Sequence, residues 1–234
     1  MSIIRDNLLR VQERINNACL LASRDPNTVK LLAVSKTKPL EMIQEALAAG
    51  QNDFGENYLQ DALSKIPSIE DATWHYIGAI QSNKTRDIAR HFDWVHTVAS
   101  EKVARRLSSQ RDETARPLNV LLQVNINQES GKAGILADEL PGLIESISPF
   151  PQIQLRGLMA IPEQSNDTLV QRANFSMLSE LQKSIQHQFN LPAFDQLSMG
   201  MSGDLEAAIA EGATWVRIGT SIFGKRLANA KETT

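Results

Sequence analysis

Short apolar runs alternate with longer amphipathic stretches along the 234 residues of the chain. The first stretch, residues 3–22, carries Ile4, Leu8, Val11, Ile15 and Ala18 at helical spacing, and a polar connector containing Asp25-Pro26 ends it. Strand-like runs follow at 31–36, 52–56, 74–78, 94–98, 119–126, 153–161, 196–201 and 215–223. Helical patterns separate them at 39–49, 57–65, 84–91, 101–109, 138–147, 168–188 and 204–211, and a short tail helix is expected near 225–230. Strands alternating with helices predict a parallel sheet with crossover connections. Eight repeats suggest closure into a (β/α)8 barrel, with an open doubly wound sheet as the alternative. No Gly-x-Gly-x-x-Gly opens the first βα unit, which counts against a dinucleotide-binding sheet. No repeat, low-complexity tract or Gly/Ser linker divides the chain. The expectation is one α/β domain over 1–234, a (β/α)8 TIM barrel with an extra N-terminal helix.

Composition narrows the function classes. Apolar residues make up 42% and charged residues 22%, the balance of a folded globular chain. Net charge is −3 with no basic block or aromatic-studded basic stripe, which argues against nucleic acid as a partner. The start, Met1-Ser2-Ile3-Ile4-Arg5-Asp6, has no long apolar core, and no later run is long enough for a bilayer, so a cytoplasmic protein is expected. Cys19 is the single cysteine and reads as a buried structural thiol in a reducing compartment. The four histidines are too scattered for a zinc site, and no Gly-x-Ser-x-Gly elbow or Walker loop is present.

In such a barrel, function collects where strands end and βα loops begin. Lys36 closes the run Leu31-Leu32-Ala33-Val34 and precedes Thr37-Lys38-Pro39. It either extends its ammonium into water or sits in a pocket where desolvation frees the amine to form an imine with a carbonyl compound. The segments Ser198-Met199-Gly200-Met201-Ser202-Gly203-Asp204 and Trp215-Val216-Arg217-Ile218-Gly219-Thr220 end strands seven and eight, where barrels often bind a phosphate. Ser202 fits a phosphate loop, with Gly219 and Thr220 beside it. On its own it more simply fits a plain N-cap for the helix that follows, with Asp204 and Glu206 complementing the dipole. Strand alternation turns Arg217 toward the barrel interior, where a guanidinium needs a ligand or a carboxylate such as Glu56. Asn57 reads as a cap for the helix near Tyr58, Gln81-Ser82-Asn83-Lys84 as a helix start, and His75 as a lone structural core histidine.

Taken together, Ala33-Val34-Ser35-Lys36-Thr37, Phe54-Gly55-Glu56-Asn57-Tyr58, His75-Tyr76-Ile77-Gly78, Gln81-Ser82-Asn83-Lys84, Arg156-Gly157-Leu158-Met159, Leu197-Ser198-Met199-Gly200-Met201-Ser202 and Arg217-Ile218-Gly219-Thr220 occur in an order that resembles the pyridoxal phosphate homeostasis protein family. The resemblance covers nearly the whole chain. Ala79 departs from it, standing where many relatives are expected to carry a proline.

The resemblance implies a fold like the N-terminal barrel of alanine racemase, with pyridoxal 5′-phosphate (PLP) held covalently on Lys36 as a Schiff base. By the same resemblance Ser202, Gly219 and Thr220 hold the phosphate and Arg217 meets the pyridine nitrogen. Asn57 adds a contact, and Met201 helps to form the phosphate loop. Lys132, in Glu129-Ser130-Gly131-Lys132-Ala133-Gly134, is either a solvated loop lysine or a second PLP contact.

An arginine stays protonated and donates to an unprotonated ring nitrogen, which makes the ring a weaker electron sink. Racemisation needs acid/base groups on both faces of the substrate carbon, and only Tyr58 and Tyr76 are present as tyrosines. Neither matches the racemase role by motif, and no second domain follows strand eight. The expected function is therefore to hold PLP in vitamin B6 homeostasis without turnover, as a monomer, with PLP-dependent apo-enzymes as recipients. The alternatives are a small amino acid racemase and a Schiff-base class I aldolase.

Overall fold

Eight parallel strands close into a barrel in chain order, each paired with the next and the eighth with the first. The computed structural model that shows this describes residues 2–225. The strands are β1 (Lys30–Val34), β2 (Asp53–Glu56), β3 (Thr73–Tyr76), β4 (Trp94–Val98), β5 (Leu118–Gln123), β6 (Ile153–Met159), β7 (Gln196–Ser198) and β8 (Trp215–Ile218). Helix α1 (Ile3–Leu21) precedes β1. After successive strands come α2 (Leu40–Ala48), α3 (Leu59–Leu63), α4 (Thr85–His91), α5 (Glu101–Gln110), α6 (Leu140–Ile147), α7 (Thr168–Gln188), α8 (Leu205–Ala210) and α9 (Thr220–Phe223). The architecture is a (β/α)8 TIM barrel with an added N-terminal helix.

Period-two alternation sorts the strand side chains into two cores. Leu32, Trp94, Leu121, Met159 and Trp215 point inward and fill the barrel with Ile77 against them. Their neighbours Leu31, Ala33, Val95, Val120, Leu122, Leu158, Val216 and Ile218 point outward under the helices. Arg217 is thereby turned inward, as the alternation predicts. Helix α1 buries Ile4, Leu8, Val11, Ile15, Ala18 and Cys19 on one face, and the Ser2 hydroxyl caps it by accepting from the Arg5 amide at 3.3 Å. The expected thiol burial at Cys19 is present.

The strands stop earlier than the apolar runs suggest. β8 was expected to reach residue 223 but ends at Ile218, and α9 begins at Thr220. Ile222 and Phe223 are apolar because this short helix packs on α1, where the Asn7 amide donates to the Ile222 carbonyl at 2.9 Å. β1, β6 and β7 likewise end before residues 36, 161 and 201, because the chain beyond each peels away to line the barrel mouth, and β5 ends before residue 126, where Val124 and Asn125 pair with Ile135 of the following loop. Past Lys225, the tail helix expected near 225–230 lies outside the described residues. Among the described residues no helix is long and apolar enough to cross a membrane, and no cluster of His, Cys, Asp or Glu fits a metal ion.

Candidate functional site

A cavity of about 470 Å³ opens at the C-terminal ends of the strands, within the range of about 300–1,000 Å³ usual for small-molecule sites. All seven residues singled out in the sequence line it: Lys36, Asn57, Met201, Ser202, Arg217, Gly219 and Thr220. They come from the ends of β1, β2, β7 and β8, so barrel closure brings together residues up to 184 positions apart (220 − 36).

Lys36 sits at the centre of a turn whose two neighbours are fixed from behind. The Ser35 amide donates to the Gly55 carbonyl at 3.0 Å, and its hydroxyl donates to Glu56 Oε1 at 2.7 Å. Lys65, buried on the far side, donates to the Ser35 carbonyl, Glu56 and Asp61 at 3.1, 2.9 and 2.8 Å. Thr37, at φ 61°, donates its amide to Asp61 at 2.8 Å. Lys38 turns away and donates to the carbonyls of Phe223, Gly224 and Lys225, fastening this loop to the end of α9. Lys36 itself is half-buried and makes no hydrogen bond or ion pair among the described residues, so its amine is left to the cavity.

Arg217 forms the deep wall and is 5% exposed. It donates through Nη1 to the Ser198 hydroxyl at 2.8 Å and through Nη2 to the Ala160 carbonyl at 3.0 Å. Burial pushes its guanidinium down to about 10, with Asp204 opposing the shift, so it stays charged at neutral pH. The ion pair with Glu56 suggested by the sequence is not formed. Glu56 is fully buried on the other side of β1 and β2, spends Oε1 on Ser35 and Lys65, and is pushed by burial up to about 6 against the pull of Lys65. An arginine has five N–H groups, so those not used on Ser198 and Ala160 remain for the cavity.

The β7 and β8 ends differ from the simple cap. Asp204, not Ser202, occupies the N-cap position of α8, and its carboxylate accepts from the Met201 amide at 2.6 Å. Ser202 instead receives a bond from the Ser221 hydroxyl at 3.1 Å, and Arg14 of α1 holds its carbonyl at 3.2 Å. Among the described residues the amides of Ser202, Gly203, Thr220 and Ser221 donate to no protein group. Gly200 lies at φ 89°, and a Cβ there would come 2.5 Å from the Ala208 Cβ, so only glycine lets this loop fold so close to α8. Burial raises the Asp204 carboxyl, opposed by the Met201 amide and Arg217.

Asn57 is not a helix cap. Tyr58 holds that position on α3 without a side-chain bond, and the buried Asn57 Oδ1 has no partner. Gly78 fixes the peptide of Asn57 from below: a Cβ on Gly78 would stand 2.0 Å from the Asn57 carbonyl oxygen. A buried amide oxygen without a donor is uncommon, and here it belongs to a residue lining the cavity.

The alanine racemase N-terminal domain family model matches residues 4–226. The pyridoxal phosphate homeostasis protein of Pseudomonas aeruginosa is 55% identical over 228 residues, 97% of each chain. The chain belongs to the pyridoxal phosphate homeostasis protein family. Among solved structures, PipY of Synechococcus elongatus with PLP bound is 38% identical at a TM-score of 0.81, covering 94% of this chain and 100% of that one. An alanine racemase of Corynebacterium glutamicum shares the fold alone, at 15% identity and a TM-score of 0.70, with 98% of this chain against 63% of the racemase chain.

Other residues of this pyridoxal phosphate homeostasis family member fall elsewhere. Lys132 is away from the cavity wall and pairs with Glu129 in its own loop. Tyr58 is exposed and Tyr76 is buried with its hydroxyl on the Ala79 carbonyl at 3.1 Å; neither lines the cavity. Gln81-Ser82-Asn83-Lys84 leads into α4 as expected. His75 is not alone, since its Nδ1 meets His96 Nε2 at 3.0 Å inside the barrel. Gln164, Ser165, Asn166 and Gln171 also line the cavity, and nothing in the sequence singled them out. The run of polar amides between β6 and α7 was the available signal.

Proposed function

We propose that this protein binds PLP in the barrel-mouth cavity, holds it covalently on Lys36, and serves as a reserve of the cofactor in vitamin B6 homeostasis rather than as a catalyst. One observation carries this: a single cavity presents an unbonded lysine amine and a rigidly held, charged arginine, with loops of free amides and hydroxyls between them. The donor set fits PLP group by group. The loops at Ser202, Gly219 and Thr220 suit the phosphate, with Met201 shaping them, Arg217 suits the acceptor nitrogen of the ring, and the orphan Asn57 oxygen suits a donor on the ligand. The Lys36 amine condenses with the aldehyde to a Schiff base, and one water leaves.

Bound PLP supplies an electron sink for carbanions on amino acids. Arg217 donates to the ring nitrogen without protonating it, which weakens that sink. Neither tyrosine reaches the cavity, so the wall holds no pair of phenol and amine for two-sided proton transfer. The homeostasis function carried in the names of relatives points the same way. Release to PLP-dependent apo-enzymes follows from a reversible imine in an open cavity.

Reconstitution tests the proposal. The protein mixed with PLP is expected to turn yellow, absorbing near roughly 420 nm. Borohydride should fix a pyridoxyl group that peptide mass mapping places on Lys36. Lys36→Ala should lose the fixed label. Label on another lysine, or a colourless wild type, overturns it.

A further inference from the structure

A line of hydrogen bonds crosses the barrel interior from the N-terminal end to the cavity floor. The Arg217 guanidinium meets the Ser198 hydroxyl at 2.8 Å, Ser198 meets His96 Nδ1 at 2.9 Å, His96 Nε2 meets His75 Nδ1 at 3.0 Å, and His75 Nε2 meets Asp53 Oδ1 at 3.1 Å. Five strands contribute one residue each: β2, β3, β4, β7 and β8. Ser198, His75 and His96 are fully buried, while the Asp53 side chain is 27% exposed at the strand start. Trp94 stacks on His75 with ring centres 5.6 Å apart, and Trp215 meets its edge at 4.8 Å, so aromatic walls enclose the line.

The two ends fix its direction. An arginine only donates and an ionised aspartate only accepts. Arg217 therefore donates to Ser198, whose hydroxyl donates to His96 Nδ1. His96 must then carry its proton on Nε2 and give it to His75 Nδ1, and His75 must carry its proton on Nε2 and give it to Asp53. Every member is satisfied with both imidazoles neutral. Burial, the largest influence on each ring, holds both below the usual histidine value, consistent with neutrality.

We propose that Asp53, His75, His96 and Ser198 form a positioning relay that locks the Arg217 guanidinium in one orientation, so that its remaining N–H groups address an aromatic ring nitrogen in the cavity. The relay deepens the function proposed above and rests on PLP as the occupant. A core made only for stability would fill this axis with aliphatic groups, as other TIM barrels do in their interior layers. A buried polar line that is satisfied from end to end instead specifies geometry. Asp53 lies far from the cavity yet decides which nitrogen of each histidine bears the proton.

Long-range ¹⁵N NMR of the unliganded full-length protein at pH 7.5 reads the tautomers directly. Both His75 and His96 are expected as Nε2–H; an Nδ1–H form at either ring overturns the relay, whether or not PLP binds. Asp53→Asn keeps the shape but lets the side chain donate as well as accept, so mixed tautomers are expected. PLP affinity should fall about ten-fold. Affinity for inorganic phosphate, and for a PLP analogue with carbon in place of the ring nitrogen, should stay unchanged. Equal losses for PLP and the carbon analogue would reveal a merely structural effect, and unchanged PLP affinity would equally sink the relay. Failure of the wild type to bind PLP removes the proposed occupant and leaves the tautomer measurement to decide the relay.

Discussion

Lys65 Nζ lies 3.1 Å from the Ser35 carbonyl oxygen and holds from behind the peptide that leads into Lys36. The same ammonium pairs with Glu56 and Asp61, and all three of its N–H groups are used. The lysine that orients the site is therefore not the one that faces the cavity.

Replacing Lys65 with methionine strands the buried Glu56 carboxylate without its cation. Loss of one partner of a buried pair costs about 3–5 kcal/mol, and urea denaturation at pH 7.5 should show a loss of that size. Adding Glu56→Gln to the variant should recover part of it. A double variant no more stable than Lys65→Met would show that charge is not the cause.

Stability should respond to pH in two opposing ways. His75 and His96 are held below the usual value of 6.5, so their contribution is present above that pH and is lost as pH falls through it. Each adds a slope of up to about 1.4 kcal/mol per pH unit. Glu56, raised from 4.5 to about 6, contributes stability that is full below 4.5 and is lost as pH rises through 6, an effect of about 2 kcal/mol. The gap in unfolding free energy between wild type and His96→Gln should narrow as pH drops from 7 to 5. A constant gap would mean that His96 titrates alike in the folded and unfolded protein, and a widening gap that it is charged in the folded one.

Gly78→Ala places a methyl 2.0 Å from the Asn57 carbonyl oxygen. Backbone cannot yield as a side-chain tip can, so a loss of about 3 kcal/mol is expected. Thermal unfolding measures it. Weaker PLP binding should accompany it because Asn57 must move.

Holo-protein incubated with L-alanine in deuterium oxide should exchange the α-hydrogen no faster than free PLP does. Proton NMR follows the exchange. Enzyme-like rates would make the racemase alternative correct and the reserve function wrong.

The barrel was legible because period-two and period-3.6 patterns alternate cleanly, and Arg217 faced inward on that pattern alone. Strand ends were not legible: Ile222 and Phe223 look like strand residues, but their apolar partner is α1, more than 200 positions away in sequence. Lys36, Arg217 and the Ser202 and Thr220 loops were visible as residues at strand ends. The partners of Arg217 and Glu56 were not, since two buried charges give no sign of which neighbours the closed barrel will deliver. The His75–His96 contact was hidden for the same reason, being made across two strands in the interior.

The pairing of Leu32 with Arg217 across β1 and β8 has a consequence for the growing chain. Lys36 leaves the ribosome early, and Arg217 follows only after every other strand has been made. Until β8 docks, β1 presents an unpaired edge and the two walls of the cavity belong to separate surfaces. A ligand bridging Lys36 and Arg217 would therefore act as a clasp across the last joint to close.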